Sequence, residues 1–125
     1  MTRTIYDLAA YRRAQDLISA VHKLTRAFPA EELYGLVSQM RRAAYSISNN
    51  IAEGQGRLTF GEKRQFLSQA RGSLFEVESQ MMIALRLRYV TEDDCVDLRM
   101  HIQKCAAALT GFLRWVQNRE PRPRK

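Results

Sequence analysis

Cysteine is scarce in this sequence, and its spacing excludes the usual uses of a cysteine pair. The 125 residues include only Cys95 and Cys105, which lie about 15 Å apart along the axis of one predicted helix. A disulfide needs Cα atoms within about 7 Å of each other, and no CxxC motif indicates a metal site. We therefore interpret both cysteines as small buried hydrophobes in a reducing compartment.

Long hydrophobic runs are also missing. The longest stretch without a charged residue, 43–52, spans ten residues, whereas a membrane-spanning helix needs about 20. The first seven residues already include charged side chains, which argues against a signal peptide. We expect a cytoplasmic protein that does not bind a membrane.

Proline is absent between residues 30 and 120, so the middle of the chain can be almost wholly helical. Apolar residues recur there at helical spacing and predict four helices, over about 8–27, 31–53, 59–89 and from 91 to beyond 116. We predict an all-α fold: one antiparallel up-down-up-down four-helix bundle over residues 1–118, followed by a basic flexible tail over 119–125. The predicted core stripes are Tyr11, Ala14, Leu17, Ile18, Val21, Leu24 and Thr25; Leu33, Leu36, Met40, Ala43, Ile47 and Ile51; Leu67, Ala70, Leu74, Val77, Met81 and Leu85; and Leu98, Ile102, Cys105, Leu109, Phe112 and Val116.

Local signals mark the ends of the helices. Gly54 and Gly56 are expected to end the second helix, because glycine tolerates the left-handed conformation of a C-terminal cap. Thr59 and Glu62 have the spacing of a capping box that begins the third helix. The acidic segment 91–94 favours the start of the fourth helix, where carboxylates complement the helix dipole.

The third helix has more apolar surface than one buried stripe uses. Phe75, Met82 and Tyr89 form a second row, about 100° away from the core stripe. Exposed apolar patches with aromatic residues are typical of interfaces, so we interpret this row as an oligomer interface. The alternative is a splayed bundle, in which the row belongs to a wide core face.

Polar residues also follow helical spacing on the second and third helices. They are Gln39, Arg42, Ser46, Asn50, Glu53 and Arg57, and Gln65, Gln69, Ser73, Glu76 and Gln80. Serine and asparagine are poor helix formers, so helix formation alone does not explain these stripes. They form a hydrogen-bonded seam between helices or subunits, a ligand-binding face, or an ordinary solvated face.

Positive charge exceeds negative charge, with 20 Lys and Arg against 13 Asp and Glu. Sixteen of the basic residues are arginine, which suits contacts to phosphate and carboxylate. The candidate nucleic-acid-binding residues lie in sequence around the second loop: Arg41, Arg42, Arg57, Lys63, Arg64 and Arg71. The opposing interpretation is that these side chains bind carboxylates within and between subunits. We find no aromatic platform beside basic residues, so nucleic-acid binding would depend on backbone and shape.

No arrangement of residues predicts catalysis. Di-iron bundles use Glu-x-x-His pairs, and neither His22 nor His101 has a glutamate three residues before it. Asp94, Asp97 and His101 share a helix face, but the helix dipole alone explains acidic residues at a helix start. We expect no enzymatic activity, no cofactor and no metal site.

The run AAYSISNNIAEGQGR, residues 43–57, resembles the bacterial four-helix-bundle family named for members encoded in intervening sequences of large-subunit ribosomal RNA genes. The resemblance covers about residues 6–116, and Asn49 and Gly61 depart from the family's commonest pattern. Its polar motif residues are Ser46, Asn50, Glu53, Ser73 and Glu76. The resemblance implies a ring-like homopentamer of antiparallel bundles. More distantly, it relates the chain to the pentameric accessory proteins of diversity-generating retroelements, which bind a reverse transcriptase and nucleic acid.

Two functions therefore stay open. The chain is a non-catalytic homo-oligomer that binds RNA or DNA through a basic ring surface, or it is an oligomeric protein–protein adaptor that binds no nucleic acid. Affinity for RNA or duplex DNA that falls steeply with salt would favour the first.

Overall fold

The structure, a computed structural model, describes residues 4–121, apart from the side chain of Ile5. Within this range the chain forms four α-helices, α1 (Ile5–Thr25), α2 (Leu36–Gln55), α3 (Phe60–Arg86) and α4 (Glu92–Gln117), and a 3₁₀ turn at Ala30–Glu32. The all-α prediction is confirmed. Residues 122–125 of the predicted tail lie outside the described range. None of the helices within that range is long and apolar enough to cross a membrane.

Each helix packs against two neighbours. Both α1 and α3 contact α2 and α4, and among the described residues no Cα atoms of diagonal helices lie within 8 Å of each other. The side chain of Gln15 bonds Ser48, and that of Thr25 bonds Arg41, so α1 and α2 run antiparallel. This arrangement is that of an up-down-up-down bundle. The α1–α2 pair and the α3–α4 pair consequently form opposite faces of the molecule.

The core is built largely from the predicted stripes. All six residues predicted for α4 are buried, and the largest fully buried side chains include Phe112 on α4, Leu17 on α1 and Met40 on α2. Tyr11 and Leu33 were predicted to be core residues, but they are 37% and 49% exposed. The periodicity therefore identifies the buried face of each helix and fails at its edges.

Both cysteines are free and buried, as predicted. Burial raises the pKa of the Cys105 thiol to about 12 and also raises the pKa of Cys95. Neither thiol is therefore a good nucleophile at neutral pH.

The second helix begins at Leu36, not at residue 31. The Glu32 carboxylate explains the break, because it accepts a hydrogen bond from the Leu36 N–H at 3.3 Å and another from the Tyr89 hydroxyl at 2.7 Å. The first bond replaces the backbone carbonyl that a continuous helix would use, and the second holds the turn against the end of α3. Leu33 is consequently outside the core.

The glycines at the end of α2 do not adopt the predicted left-handed conformation. Within residues 4–121 no glycine has a positive φ; Gly54 lies inside the helix, and Gly56 caps it with φ −81°. Gly54 is buried, and a Cβ there would lie 3.3 Å from the Cβ of Phe66 on α3. Close packing of two helices, not cap geometry, therefore explains this glycine.

The predicted capping box at the start of α3 is present only in part. The Thr59 hydroxyl accepts the Glu62 N–H at 3.2 Å, as expected. The Glu62 carboxylate, however, takes its hydrogen bond from the Thr59 hydroxyl, also at 3.2 Å. At the acidic start of α4, Thr91 and Asp94 do form the full reciprocal box.

Candidate functional site

The structure separates the six basic residues that the sequence places around the second loop. Arg57, Lys63 and Arg64 lie where α2 passes into α3. Arg42 lies 13 positions before Gln55, the last residue of α2, which is about 20 Å at the rise of an α-helix. Residues close in sequence are thus carried to different parts of the bundle, and any binding site uses only some of them.

Lys63 supports the local structure at the α2–α3 junction. Its ammonium group donates to the carbonyl oxygens of Gly54 and Gln55 at 3.2 and 3.1 Å. A cation there satisfies the last carbonyls of α2 and complements the helix dipole. Burial lowers the pKa of Lys63. These contacts favour a structural role for this side chain.

Arg57 and Arg64 are paired with carboxylates of the same chain. Arg57 Nη2 lies 3.1 Å from Glu53 Oε2, and the Arg57 guanidinium carbon is 4.6 Å from the centre of the Phe66 ring. Arg64 Nε lies 2.7 Å from Glu120 Oε2, and this bond raises the pKa of Arg64. For these two arginines the contacts support the interpretation that they bind carboxylates.

The first residues of the predicted flexible tail contact the bundle. Glu120 accepts the bond from Arg64, and Arg119 Nη1 donates to the Trp115 carbonyl at 3.0 Å. The Arg119 guanidinium also lies 4.1 Å from the centre of the Trp115 ring, close enough for a cation–π contact. Arg119 and Glu120, which were predicted to belong to the tail, therefore contact α3 and α4.

Arg41 and Arg42 lie on a different surface, where α2 begins beside the end of α1. Arg41 Nε donates to the Thr25 hydroxyl at 3.0 Å, and Arg42 Nη2 lies 3.5 Å from the Ser38 hydroxyl. Within residues 4–121 neither guanidinium belongs to an ion pair. Both positive charges are therefore available to an anionic ligand.

A groove runs past these two arginines, and tyrosines border it. Its lining residues, which we call the tyrosine–arginine groove, are Leu33, Tyr34, Val37, Ser38, Arg41, Arg42 and Tyr45. Tyr34 is 93% exposed and Tyr45 is 41% exposed. The sequence-based prediction that no aromatic platform lies near basic residues is wrong. The sequence-based prediction missed this platform because it assigned Tyr34 to a continuous helix. The i, i+4 spacing of Arg41 and Tyr45, which places both on one helix face, could have indicated an aromatic ring beside a basic residue.

His22 fixes one wall of the groove. Its Nε2 lies 2.6 Å from the Tyr45 hydroxyl, and the two rings are 5.7 Å apart. Burial lowers the pKa of His22, and so do the positive charges of Arg41 and Arg26. These effects favour the neutral form of the imidazole, and Arg26 is a third guanidinium close to this surface.

Three of the polar motif residues, Ser46, Asn50 and Ser73, form a hydrogen-bonded cluster where α2 meets α3. The hydroxyl oxygens of Ser46 and Ser73 lie 2.8 Å apart. Asn50 Nδ2 donates to the Ser46 carbonyl at 2.8 Å and to its hydroxyl at 3.1 Å. Glu76 accepts a long bond of 3.5 Å from Gln80. The Ser46–Ser73 contact joins α2 to α3, whereas the Asn50 and Glu76 bonds lie within one helix, so the contacts support a structural seam at Ser46 and Ser73.

The family model for the 23S rRNA-intervening sequence protein matches residues 6–111. The chain belongs to this family. The match confirms the resemblance seen in the sequence, and it spans α1, α2, α3 and most of α4. It includes the polar seam and the tyrosine–arginine groove, whereas the contacts of Arg119 and Glu120 lie beyond it. No curated protein matches the chain.

In this intervening-sequence protein, the second apolar row of α3 is only partly exposed. Phe75 and Met82 are 54% and 50% exposed, and Arg99 Nη2 of α4 lies 3.9 Å from the Met82 sulfur. Tyr89 is not part of an exposed row, because its ring packs 5.7 Å from that of Phe28 and its hydroxyl bonds Glu32. Phe75 and Met82 therefore mark an unburied patch on the α3–α4 face, and their role as an interface stays a prediction.

The description of the 23S rRNA-intervening sequence family names no reaction. The acidic residues at the start of α4 have local partners: Asp94 completes the capping box with Thr91, and Asp97 Oδ1 lies 3.6 Å from His101 Nε2. Across residues 4–121 no three His, Cys, Asp or Glu side chains are grouped so that they could hold a metal ion.

Proposed function

We propose that this 23S rRNA-intervening sequence protein is a non-catalytic homo-oligomer, a pentamer, that binds RNA or DNA through repeated copies of the tyrosine–arginine groove. The observation that carries the proposal is the convergence of Arg41 and Arg42, with Arg26 nearby, on one surface without ion-pair partners among the described residues. Guanidinium groups in such a setting suit bidentate contacts to phosphate.

The nearby carboxylates do not neutralise this surface. Glu31 and Glu32 lie in the 3₁₀ turn that precedes the groove, but neither lines it, and its charged lining residues are Arg41 and Arg42. Glu32 accepts the Tyr89 hydroxyl at 2.7 Å. The groove therefore presents net positive charge to a ligand.

The proposed oligomer is compatible with this site. Phe75 and Met82 lie on the α3–α4 side, whereas the groove lies where α1 and α2 meet, on the opposite face. In a ring of five, the Phe75–Met82 patch of one copy meets a different surface of the next copy, and the proposal requires that this second surface lies outside the groove. Repetition of a weak site then raises the overall affinity for a long polyanion by avidity.

The binding test is a fluorescence anisotropy titration with RNA and DNA at NaCl concentrations from about 50 to 200 mM. We expect affinity to fall steeply with salt. The double variant Arg41→Gln/Arg42→Gln should bind more weakly and should reduce the salt slope by about one for each arginine that no longer meets a phosphate. A protein that shows no affinity at low salt would refute the nucleic-acid proposal and favour the adaptor function.

The matched control removes the same charge elsewhere. Arg12→Gln/Arg114→Gln takes one exposed arginine from α1 and one from α4 and should leave most of the affinity in place. Equal decreases of affinity in the two double variants would show that net charge, not the groove, determines binding.

The oligomer is tested by light scattering, where a pentamer has five times the protomer mass of 14.5 kDa. Phe75→Asp/Met82→Asp should lower the mass and keep the helical circular dichroism signal, because both side chains are half exposed. A wild-type protein with the mass of one protomer would refute the oligomer.

A further inference from the structure

Among residues 4–121, Tyr34 has the most exposed aromatic side chain. It lines the same groove as Arg41 and Arg42, neither of which belongs to an ion pair within these residues. Tyr34 is 93% exposed and directly precedes Gly35, which separates the 3₁₀ turn from α2. Its neighbour Leu33 is 49% exposed. A large ring left in solvent contributes nothing to the core, so folding does not explain this side chain.

The second tyrosine of the groove is held in place. The Tyr45 hydroxyl is bonded to His22 at 2.6 Å, and its ring is tilted by 36° against the imidazole. Tyr45 is 41% exposed and lines the same groove as Tyr34. The groove is therefore bordered by one fully accessible ring and one positioned ring.

The charges of the groove decide between possible ligands. Arg41 and Arg42 line it together with the two rings, so a ligand with anionic groups and flat apolar rings in alternation complements it. A single-stranded nucleic acid has this chemistry, because its bases are free to stack on aromatic side chains and its phosphates to meet arginine. A duplex hides the faces of its bases, and a phosphopeptide does not carry a phosphate and a flat ring in every repeating unit.

We infer that the tyrosine–arginine groove binds single-stranded RNA or DNA, with an unpaired base stacked on Tyr34 and flanking phosphates on Arg41 and Arg42. This inference rests on the proposed nucleic-acid-binding function and specifies the substrate of that site. It changes the expected mode of recognition from duplex shape and backbone to base stacking on an unpaired strand.

The test compares three labelled probes of equal length: a single-stranded RNA, a single-stranded DNA and a duplex DNA. Wild-type protein should bind one or both single strands more tightly than the duplex. The Tyr34→Ala variant should bind single strands about 5- to 100-fold more weakly, the usual effect of removing one stacking ring. Tyr34→Phe keeps the ring face and should bind within about twofold of wild type.

Leu58→Ala is the matched control, because Leu58 is also nearly fully exposed, at 91%, and lies in the α2–α3 loop. It should bind like wild type. Circular dichroism and light scattering should show an unchanged fold and mass for Tyr34→Ala. A lower mass for this variant would overturn the inference, since the ring would then serve a contact between copies of the chain.

The outcomes separate this inference from the proposed function. If wild type binds none of the probes, the proposed function fails and the inference fails with it. If Arg41→Gln/Arg42→Gln weakens binding but Tyr34→Ala does not, or if the duplex binds as tightly as the single strands, the inference is overturned while the proposed function stands. Preference for RNA or for DNA supports the inference in either case and identifies the strand.

Discussion

Two glycines in helices of this protein predict opposite responses to the same substitution. Gly72 lies inside α3, and a Cβ built there meets no heavy atom within 4 Å. Alanine is about 1 kcal/mol better than glycine in a helix interior, so Gly72→Ala should stabilise the fold by about 0.5–1 kcal/mol.

Gly54 offers no such space. A Cβ there would lie 3.3 Å from Phe66 Cβ and 3.5 Å from the Lys63 carbonyl oxygen. Phe66 Cβ is fixed to the backbone of α3 and cannot rotate away, so the two helices must separate. We expect this cost to cancel the gain in helix propensity in Gly54→Ala. The larger side chain of Gly54→Val should destabilise the protein by about 1–3 kcal/mol, as overpacking does.

Urea unfolding followed by far-UV circular dichroism measures both effects as free energies of unfolding. All variants are compared at one protomer concentration, because self-association adds to apparent stability. If Gly54→Ala is stabilised as much as Gly72→Ala, close packing is not the reason for glycine at position 54. A stabilised Gly54→Val would refute the reasoning outright.

Two further predictions concern titration and reactivity. The pKa of His22 in the folded protein lies below the unfolded value of 6.5, so the unfolded state binds the proton more readily and the stability of the fold should decrease as the pH drops below about 6.5. In thermal melts, His22→Gln should make the melting temperature depend less on pH in this range. An unchanged pH profile in this variant would contradict the prediction. Because burial raises the pKa of Cys105 to about 12, a thiol reagent at pH 8 should modify this residue only as fast as the protein opens. Labelling of native Cys105 as fast as a free thiol would show that it is accessible.

The sequence was sufficient for the four helices because their signal is local. Apolar residues at helical spacing define a buried face without knowledge of the partner helix, and Leu98, Ile102 and Cys105 are all buried as predicted. The role of Gly54 could not be predicted from the sequence, because a glycine near a helix end can either cap the helix or allow a second helix to pack closely against it. Only the position of Phe66 on the neighbouring helix distinguishes the two.

The candidate site could not be predicted from local sequence patterns, because it depends on a contact between distant parts of the chain. The bond between Glu32 and Tyr89 joins residues 57 positions apart. It holds the 3₁₀ turn, interrupts the helix that periodicity predicts from residue 31 and leaves Tyr34 in solvent. A local pattern cannot report a bond at such a separation, so the sequence placed this segment in a helix.

The role of Tyr89 in the structure therefore differs from the role predicted from the sequence. Counted as part of the apolar row on α3, it suggested a surface for another subunit. In the structure its ring packs on Phe28 and its hydroxyl donates a hydrogen bond to Glu32, which ties the 3₁₀ turn to the end of α3. One side chain at the end of α3 therefore helps to hold the turn that leaves Tyr34 exposed, whereas Phe75 and Met82 are the exposed residues of the predicted interface row.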